Sequence, residues 1–353
     1  MPLKKLLSRV VQCCRVAGWS ALLVACAAPQ ALHNAANSHC AELQSVPWTA
    51  VVPSVWIWLP AREADIDTAN AGHVVPTSLV IDGDEALVID PGPSHQHGQR
   101  VQQSLRCRFG VRLITVVNTH AHAENVLGNS AFSVAQSRGL LRIAASRPAL
   151  DAMQQRCPEC LQSLQRRAGA DAMADTRIVL PDTTLAAGAR LRVGARELQV
   201  LDVLPGHTEG DLLLWDPVSG VLWAGGLIYG QRLPELAQGS VQGWLKALDL
   251  IEAMPVRELI GTTWSSAGAD GHPPPALTST RRYLVDLREG VLQAMDAGRM
   301  PQEADVLPLP AYANWAGYQE RHHFNAMRAW RELEPIWMDR APPSPSVPQD
   351  IRR

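Results

Sequence analysis

The sequence predicts an α/β fold of two stacked sheets with helices on their outer faces. Two observations carry this: short apolar, β-branched runs occur in both halves, each half closing on a helical pattern, and the histidine-bearing segments follow such runs directly. The 353 residues, 46% hydrophobic and 19% charged, are enough to bury a sizeable core.

The amino terminus reads as an export signal over residues 1–25. Lys4, Lys5, Arg9 and Arg15 precede or border the apolar stretch Val16 to Ala25, which has no acidic residue. The signal ends in Leu23-Val24-Ala25-Cys26, which resembles the lipobox of bacterial lipoproteins; this implies lipidation at Cys26 and a periplasmic, membrane-anchored protein. Cleavage at an Ala-x-Ala-like site nearby, giving a soluble secreted protein, is the other reading. Removing residues 1–25 leaves 28 basic against 34 acidic residues, a balance that offers nothing to nucleic acid.

Residues 26–46 are small and polar and read as a flexible tether, so the domain is expected over 47–339. In its first half, Ser78 to Ile81 and Ala86 to Asp90 form a hairpin around Gly83-Asp84. Asp90-Pro91-Gly92-Pro93 breaks the strand, and His95 and His97 read as part of a solvated turn, with a metal-binding HxH as the other reading. A helix over 99–109 and a buried strand over 113–117 lead to Asn118-Thr119-His120.

The second half predicts strands over 191–193 and 198–204, and a pair over 212–215 and 221–224 across Asp216 to Gly220. A helix over 244–254, a short strand at Leu259-Ile260 and a long helix over 278–297 follow, the last with Tyr283, Leu284, Leu287, Val291 and Met295 on one face. A helical extension completes the domain. The four prolines after Ala341 make 340–353 a disordered tail. Most of the eleven tryptophans belong to the core.

Of seven cysteines, Cys13 and Cys14 leave with the signal and Cys26 is the lipidation site, leaving Cys40, Cys107, Cys157 and Cys160. An even set in an oxidising compartment suggests disulfides. Cys157-Pro158-Glu159-Cys160 reads as a local disulfide, because no second CxxC completes a four-sulfur zinc clip.

Chemistry concentrates in Thr119-His120-Ala121-His122-Ala123-Glu124-Asn125 and in Pro205-Gly206-His207-Thr208-Glu209-Gly210-Asp211. Two histidines two apart and a third after another strand can meet at one edge, and three imidazoles with an open fourth position make a catalytic zinc site. The loop histidine His272 and the paired His322 and His323 read as surface or packing residues.

These segments resemble the metallo-β-lactamase superfamily, whose signature runs HxHxDH, then a GHTxGD-like segment, Ala-Gly-Asp and Gly-His-Gly. The likeness extends over about residues 50–335, and within the superfamily is nearest to zinc metallohydrolases associated with quinoprotein dehydrogenases and sulfur oxidation. The segments that carry this are Asn118 to Phe132, the Cys157–Cys160 region, and Tyr312 to Tyr318 with His322 and Asn325. The resemblance implies an αββα sandwich with the metal between two sheet edges. It makes His120, His122 and His207 metal ligands, and Asp90 and Asp211 structural supports.

Four positions depart from the pattern. Glu124 stands for Asp, Asn125 for His, Gly226 for the bridging Asp and Thr262 for His, so one Zn2+ is expected and the second site is read as lost. A single zinc still lowers the pKa of a water to about 7 and delivers hydroxide to a small-molecule substrate. Glu124 is then a general base or orienter, or else simply hydrogen-bonded. The hydrolase reading competes with a catalytically silent accessory protein that binds a partner such as a periplasmic dehydrogenase. Restoring Asn125→His, Gly226→Asp and Thr262→His together is expected to recreate the second site.

Overall fold

The protein is described by a computed structural model covering Cys40 and residues 46–201, 205–300 and 307–339. The export signal, Cys26, nearly all of the tether and the 340–353 tail lie outside the described residues, as do positions 202–204 of the strand expected to reach 204. The chain divides into two compact units at Ser45 and Val46, and the second is the αββα body.

Its first sheet has seven strands in sequential order: β1 (Thr49–Val52), β2 (Val55–Trp58), β3 (Thr77–Asp82), β4 (Glu85–Ile89), β5 (Leu113–Val117), β6 (Arg142–Ser146) and β7 (Thr183–Leu185). The first four are antiparallel neighbours; from β4 to β7 every pairing is parallel. Parallel neighbours need crossovers. These are α1 (His95–Cys107) between β4 and β5, the short helices α2 (Ala123–Val126) and α3 (Ser133–Ser137) between β5 and β6, and α4 (Arg147–Ala168) between β6 and β7.

The second sheet has six strands, in the order β13, β12, β11, β10, β9, β8: β8 (Arg190–Val193), β9 (Arg196–Val200), β10 (Leu214–Asp216), β11 (Val221–Trp223), β12 (Glu258–Ile260) and β13 (Trp264–Ser266). Only β11 and β12 run parallel, joined through α5 (Val241–Glu252). Helices α6 (Pro275–Asp296) and α7 (Tyr318–Met338) complete the layer outside this sheet.

Strand pleating explains the four layers. Leu87 and Ile89 of β4 and Val221 and Trp223 of β11 point between the sheets, where they meet Val80, Val117, Leu198 and Leu214. Their neighbours Ala86 and Val88 point outward onto Val101 and Leu105 of α1, while Leu222 and Ala224 point outward onto Trp244, Leu248 and Tyr283. Strands covered on both faces read as continuous apolar runs, as these do.

Two expectations are corrected. His95 and His97 open α1 rather than a solvated turn: Ser94 caps the helix by accepting from the His97 amide, and the buried His97 ring stacks on Trp58 at 3.9 Å. Cys157 and Cys160 are free thiols, not a disulfide. Both lie on α4, where residues three apart hold their Cβ atoms about 5–6 Å apart, too far for the ~3.8 Å that a disulfide spans. Burial pushes the Cys157 thiol up to about 12.

No helix among the described residues is long and apolar enough to cross a membrane.

Candidate metal centre

Strand ends build the site. β4, β5, β11 and β12 run in register into Asp90, Asn118, Ala224 and Gly261, so the loops that follow them gather at one edge of the two sheets. Asp90 leaves β4 with φ +53°, a left-handed conformation that an aspartate tolerates better than most side chains. Three bonds hold it there: Oδ1 accepts from the Thr119 amide at 2.8 Å, and Oδ2 accepts from Thr119 Oγ1 at 2.6 Å and Asn125 Nδ2 at 2.9 Å. Burial pushes the Asp90 carboxyl up to about 6 against the pull of those bonds, so at neutral pH it remains an acceptor.

That fixes the first ligand. Thr119 gives its only hydroxyl proton to Asp90, so its 2.9 Å contact with His120 Nδ1 is accepted from an Nδ1–H, and His120 Nε2 keeps its lone pair. His207 is fixed in the same way by a backbone carbonyl: Nδ1 donates to Glu235 O at 2.7 Å, leaving Nε2 as the lone-pair nitrogen. His122 Nδ1 lies 3.0 Å from that nitrogen. One nitrogen from each of the three rings lies within 4.8 Å of the others, and all three residues are buried. Burial and the neighbouring imidazole hold His120 down at about 3, and burial with both neighbours holds His207 well below the usual histidine range. Three imidazole nitrogens converging in this way are the donor set that a small divalent ion such as zinc takes.

The surrounding residues support this set. Asp211 closes the turn after His207 by accepting from the Thr208 amide at 2.9 Å and Thr208 Oγ1 at 2.7 Å; burial pushes it up to about 6. Trp244 packs its ring 5.3 Å from His207 and donates Nε1 to Leu227 O. Behind the loop of His120, Asn118 and Asn129 exchange a reciprocal amide pair at 3.1 and 2.8 Å.

The positions read as a lost second site are brought to the same edge. Asn125 is tied to Asp90, and Thr262 gives its amide to Ile228 O at 2.8 Å. Gly226 is packed against a ligand: a Cβ there would meet His207 Cδ2 at 2.0 Å and Nε2 at 2.6 Å. A side chain at this position therefore requires the His207 ring to move, and the expected triple restoration cannot simply add ligands to the present arrangement.

Glu124 is buried in the first turn of α2. Burial opposes its ionisation, but the charges of His122 and Arg232 hold it at about 2. Its partner Arg232, with Nη2 3.5 Å from Glu124 Oε1, was not singled out by the sequence. Nothing local marks it, because its place depends on Ala316, with which it forms an isolated parallel bridge. Glu235 was missed because it acts through its backbone carbonyl, which no residue type reveals. His272 is exposed beside Asp270, and His322 is buried in α7 between Tyr283 and Leu307.

No family model matches the chain. A stretch of 146 residues, 41% of the chain, is 26% identical to the hydroxyacylglutathione hydrolase of Methylococcus capsulatus (strain Bath). The match spans less than half of that protein, 46% of its length. Among solved structures, a metallo-β-lactamase from Pontibacter korlensis aligns with a TM-score of 0.52 at 18% identity, over 68% of this chain and 99% of that one. The metallo-β-lactamase FIM-1 from Pseudomonas aeruginosa, in a mono-zinc form, aligns with a TM-score of 0.50 at 18% identity, over 69% of this chain and 96% of that one. The chain has the metallo-β-lactamase fold.

Proposed function

We propose that the chain is a hydrolase acting on a small molecule with one zinc ion held by His120, His122 and His207. The observation that carries this is the convergence of three imidazole nitrogens, two of them with their tautomer fixed from behind by Thr119 and by the Glu235 carbonyl. The names of the similar proteins agree with it: a hydroxyacylglutathione hydrolase and metallo-β-lactamases, one of them in a mono-zinc form. Zinc in such a triad supplies Lewis-acid polarisation of the scissile group and acidifies water at neutral pH.

The residues around the triad do the rest. Asp90 and Thr119 orient His120, the Glu235 carbonyl orients His207, and Asp211 keeps the turn that carries His207 closed. Glu124, ionised and anchored by Arg232, is the side chain that orients the attacking water. A single metal rather than two follows from Asn125, Gly226 and Thr262, none of which offers an imidazole or a carboxylate.

The reading extends to an exported, periplasmic protein anchored through a lipid at Cys26, belonging with the zinc metallohydrolases of quinoprotein or sulfur-oxidation systems. The signal-like residues 1–25 and the segments Asn118 to Phe132 and Tyr312 to Tyr318 support this. A silent accessory protein of such a system, binding a dehydrogenase, is the second reading. The engagement of Glu124 with Arg232 favours it, since a paired carboxylate is a weak base.

Metal analysis and an ester and thioester hydrolysis screen, run side by side on wild type and His122→Ala, separate the two. The hydrolase reading expects turnover and zinc to vanish together in the variant. Zinc-loaded wild type with no turnover across the screen favours the accessory protein.

A further inference from the structure

Arg232 carries a charge that the site as described leaves largely unused. Its side chain is 3% exposed, its Nη2 reaches Glu124 Oε1 only at 3.5 Å, and its Nε and Nη1 are buried with no hydrogen-bond partner. Buried guanidinium donors are normally satisfied. The side chain is not loosely placed. Flanking backbone is fixed to the segment before α7, with Leu233 N donating to Ala316 O at 2.9 Å and Ala316 N donating to Gln231 O at 2.9 Å. The guanidinium lies 5.8 Å from the Tyr229 ring centroid.

The chemistry of the open donors selects the ligand. Asp90 is engaged by Thr119 and Asn125, and Asp211 is engaged by Thr208, which leaves Glu124 as the carboxylate paired with Arg232. A rigid, fork-shaped cation with spare N–H groups matches an oxyanion, for which such pairs are both strong and directional. We propose that Arg232 receives an oxyanionic group of the substrate, a carboxylate or a phosphate-like group, and confines the three-histidine site to anionic substrates. The inference deepens the hydrolase reading and rests on it for the reaction, but the oxyanion site is testable by itself.

The test is calorimetric titration of the full-length protein, its zinc content recorded, with succinate and separately with inorganic phosphate. Wild type is expected to bind at least one of them, and the preferred one tells carboxylate from phosphate. The double variant Arg232→Met, Glu124→Gln removes both charges, so no lone charge is buried, and is expected to weaken binding by about tenfold or more. His122→Ala, which takes away a metal ligand but not the cation, is expected to keep binding within about threefold. Arg232→Lys retains the charge but not the fork and is expected to bind at least about threefold more weakly; it carries the test should the double variant not fold. Absence of oxyanion binding by wild type, wild-type affinity in the folded double variant or in Arg232→Lys, or loss of binding in His122→Ala overturns the proposal. Zinc-free wild type that still binds oxyanions overturns the hydrolase reading alone.

Discussion

Thr119 shows how much of the site hangs on one hydroxyl. It donates to Asp90 and accepts from His120, so it links the strained end of β4 to a metal-ligand candidate. Thr119→Val keeps the shape and removes both bonds. Loss of the buried pair is expected to cost about 1–3 kcal/mol in a urea melt, and loosening of the ligand ring to weaken zinc by about 10–100-fold in a chelator competition. Unchanged zinc affinity would separate His120 from Asp90. A different residue cluster sets acid stability. Burial holds His73 down at about 4, and His97 stacked on Trp58 also lies well below the usual range. Both are neutral in the fold, while the unfolded chain takes up protons from about pH 6.5 downward. Stability is therefore complete above that pH and falls between about 6.5 and 4, by up to about 3 kcal/mol for His73. Thermal melts from pH 7 to 4.5 are expected to show this decline, and a smaller one in His73→Phe.

At the scale of elements, the histidines themselves were legible, and their supports were not. Two histidines of one turn announce themselves in sequence, and His207 follows an apolar run with a glycine before it. Arg232 and Glu235 sit in a segment without regular structure, whose conformation is set from α7. There, Asn325 Oδ1 accepts from the Leu236 amide at 3.0 Å, while Nδ2 donates to Pro234 O at 2.7 Å and to Tyr283 at 2.8 Å. Such contacts, between residues 42 to 91 apart in the chain, leave no periodicity to read. Helix α4 was missed for another reason. The Cys157-Pro158-Glu159-Cys160 spacing read as a local disulfide and Pro158 is unfavourable inside a helix, yet Ala149, Ala152, Met153, Cys157, Leu164 and Ala168 bury one helical face. Asn325→Leu is expected to cost about 2–4 kcal/mol by leaving the Pro234 carbonyl and the Leu236 amide without partners. It is also expected to weaken zinc, since Glu235 between those anchors holds His207. Calorimetric melts and zinc competition on the same variant check both; a loss of stability with unchanged zinc affinity would uncouple α7 from the site.

For the whole molecule, apolar runs followed by helical patterns were enough to indicate two sheets with outer helices, and the αββα body carries them as such. Their sequence did not show that the last helices belong to the same core as the second sheet. Trp330, Leu333, Ala326 and Tyr312 pack in one cluster with Trp244, Leu222 and Leu259, and Glu332 caps α5 by accepting from Ser240, Val241 and Gln242. A chain ending before Leu307 is therefore expected to lose cooperative unfolding and expose apolar surface, read as dye binding at neutral pH. A sharp thermal transition in that truncation would make the extension an appendage. Titration of metal-depleted protein with zinc, with X-ray absorption reporting the donors, decides whether the three histidines hold one metal. Saturation is expected at about one equivalent per chain with three nitrogen neighbours; saturation at two equivalents, or no binding at all, would rule out a single-zinc site.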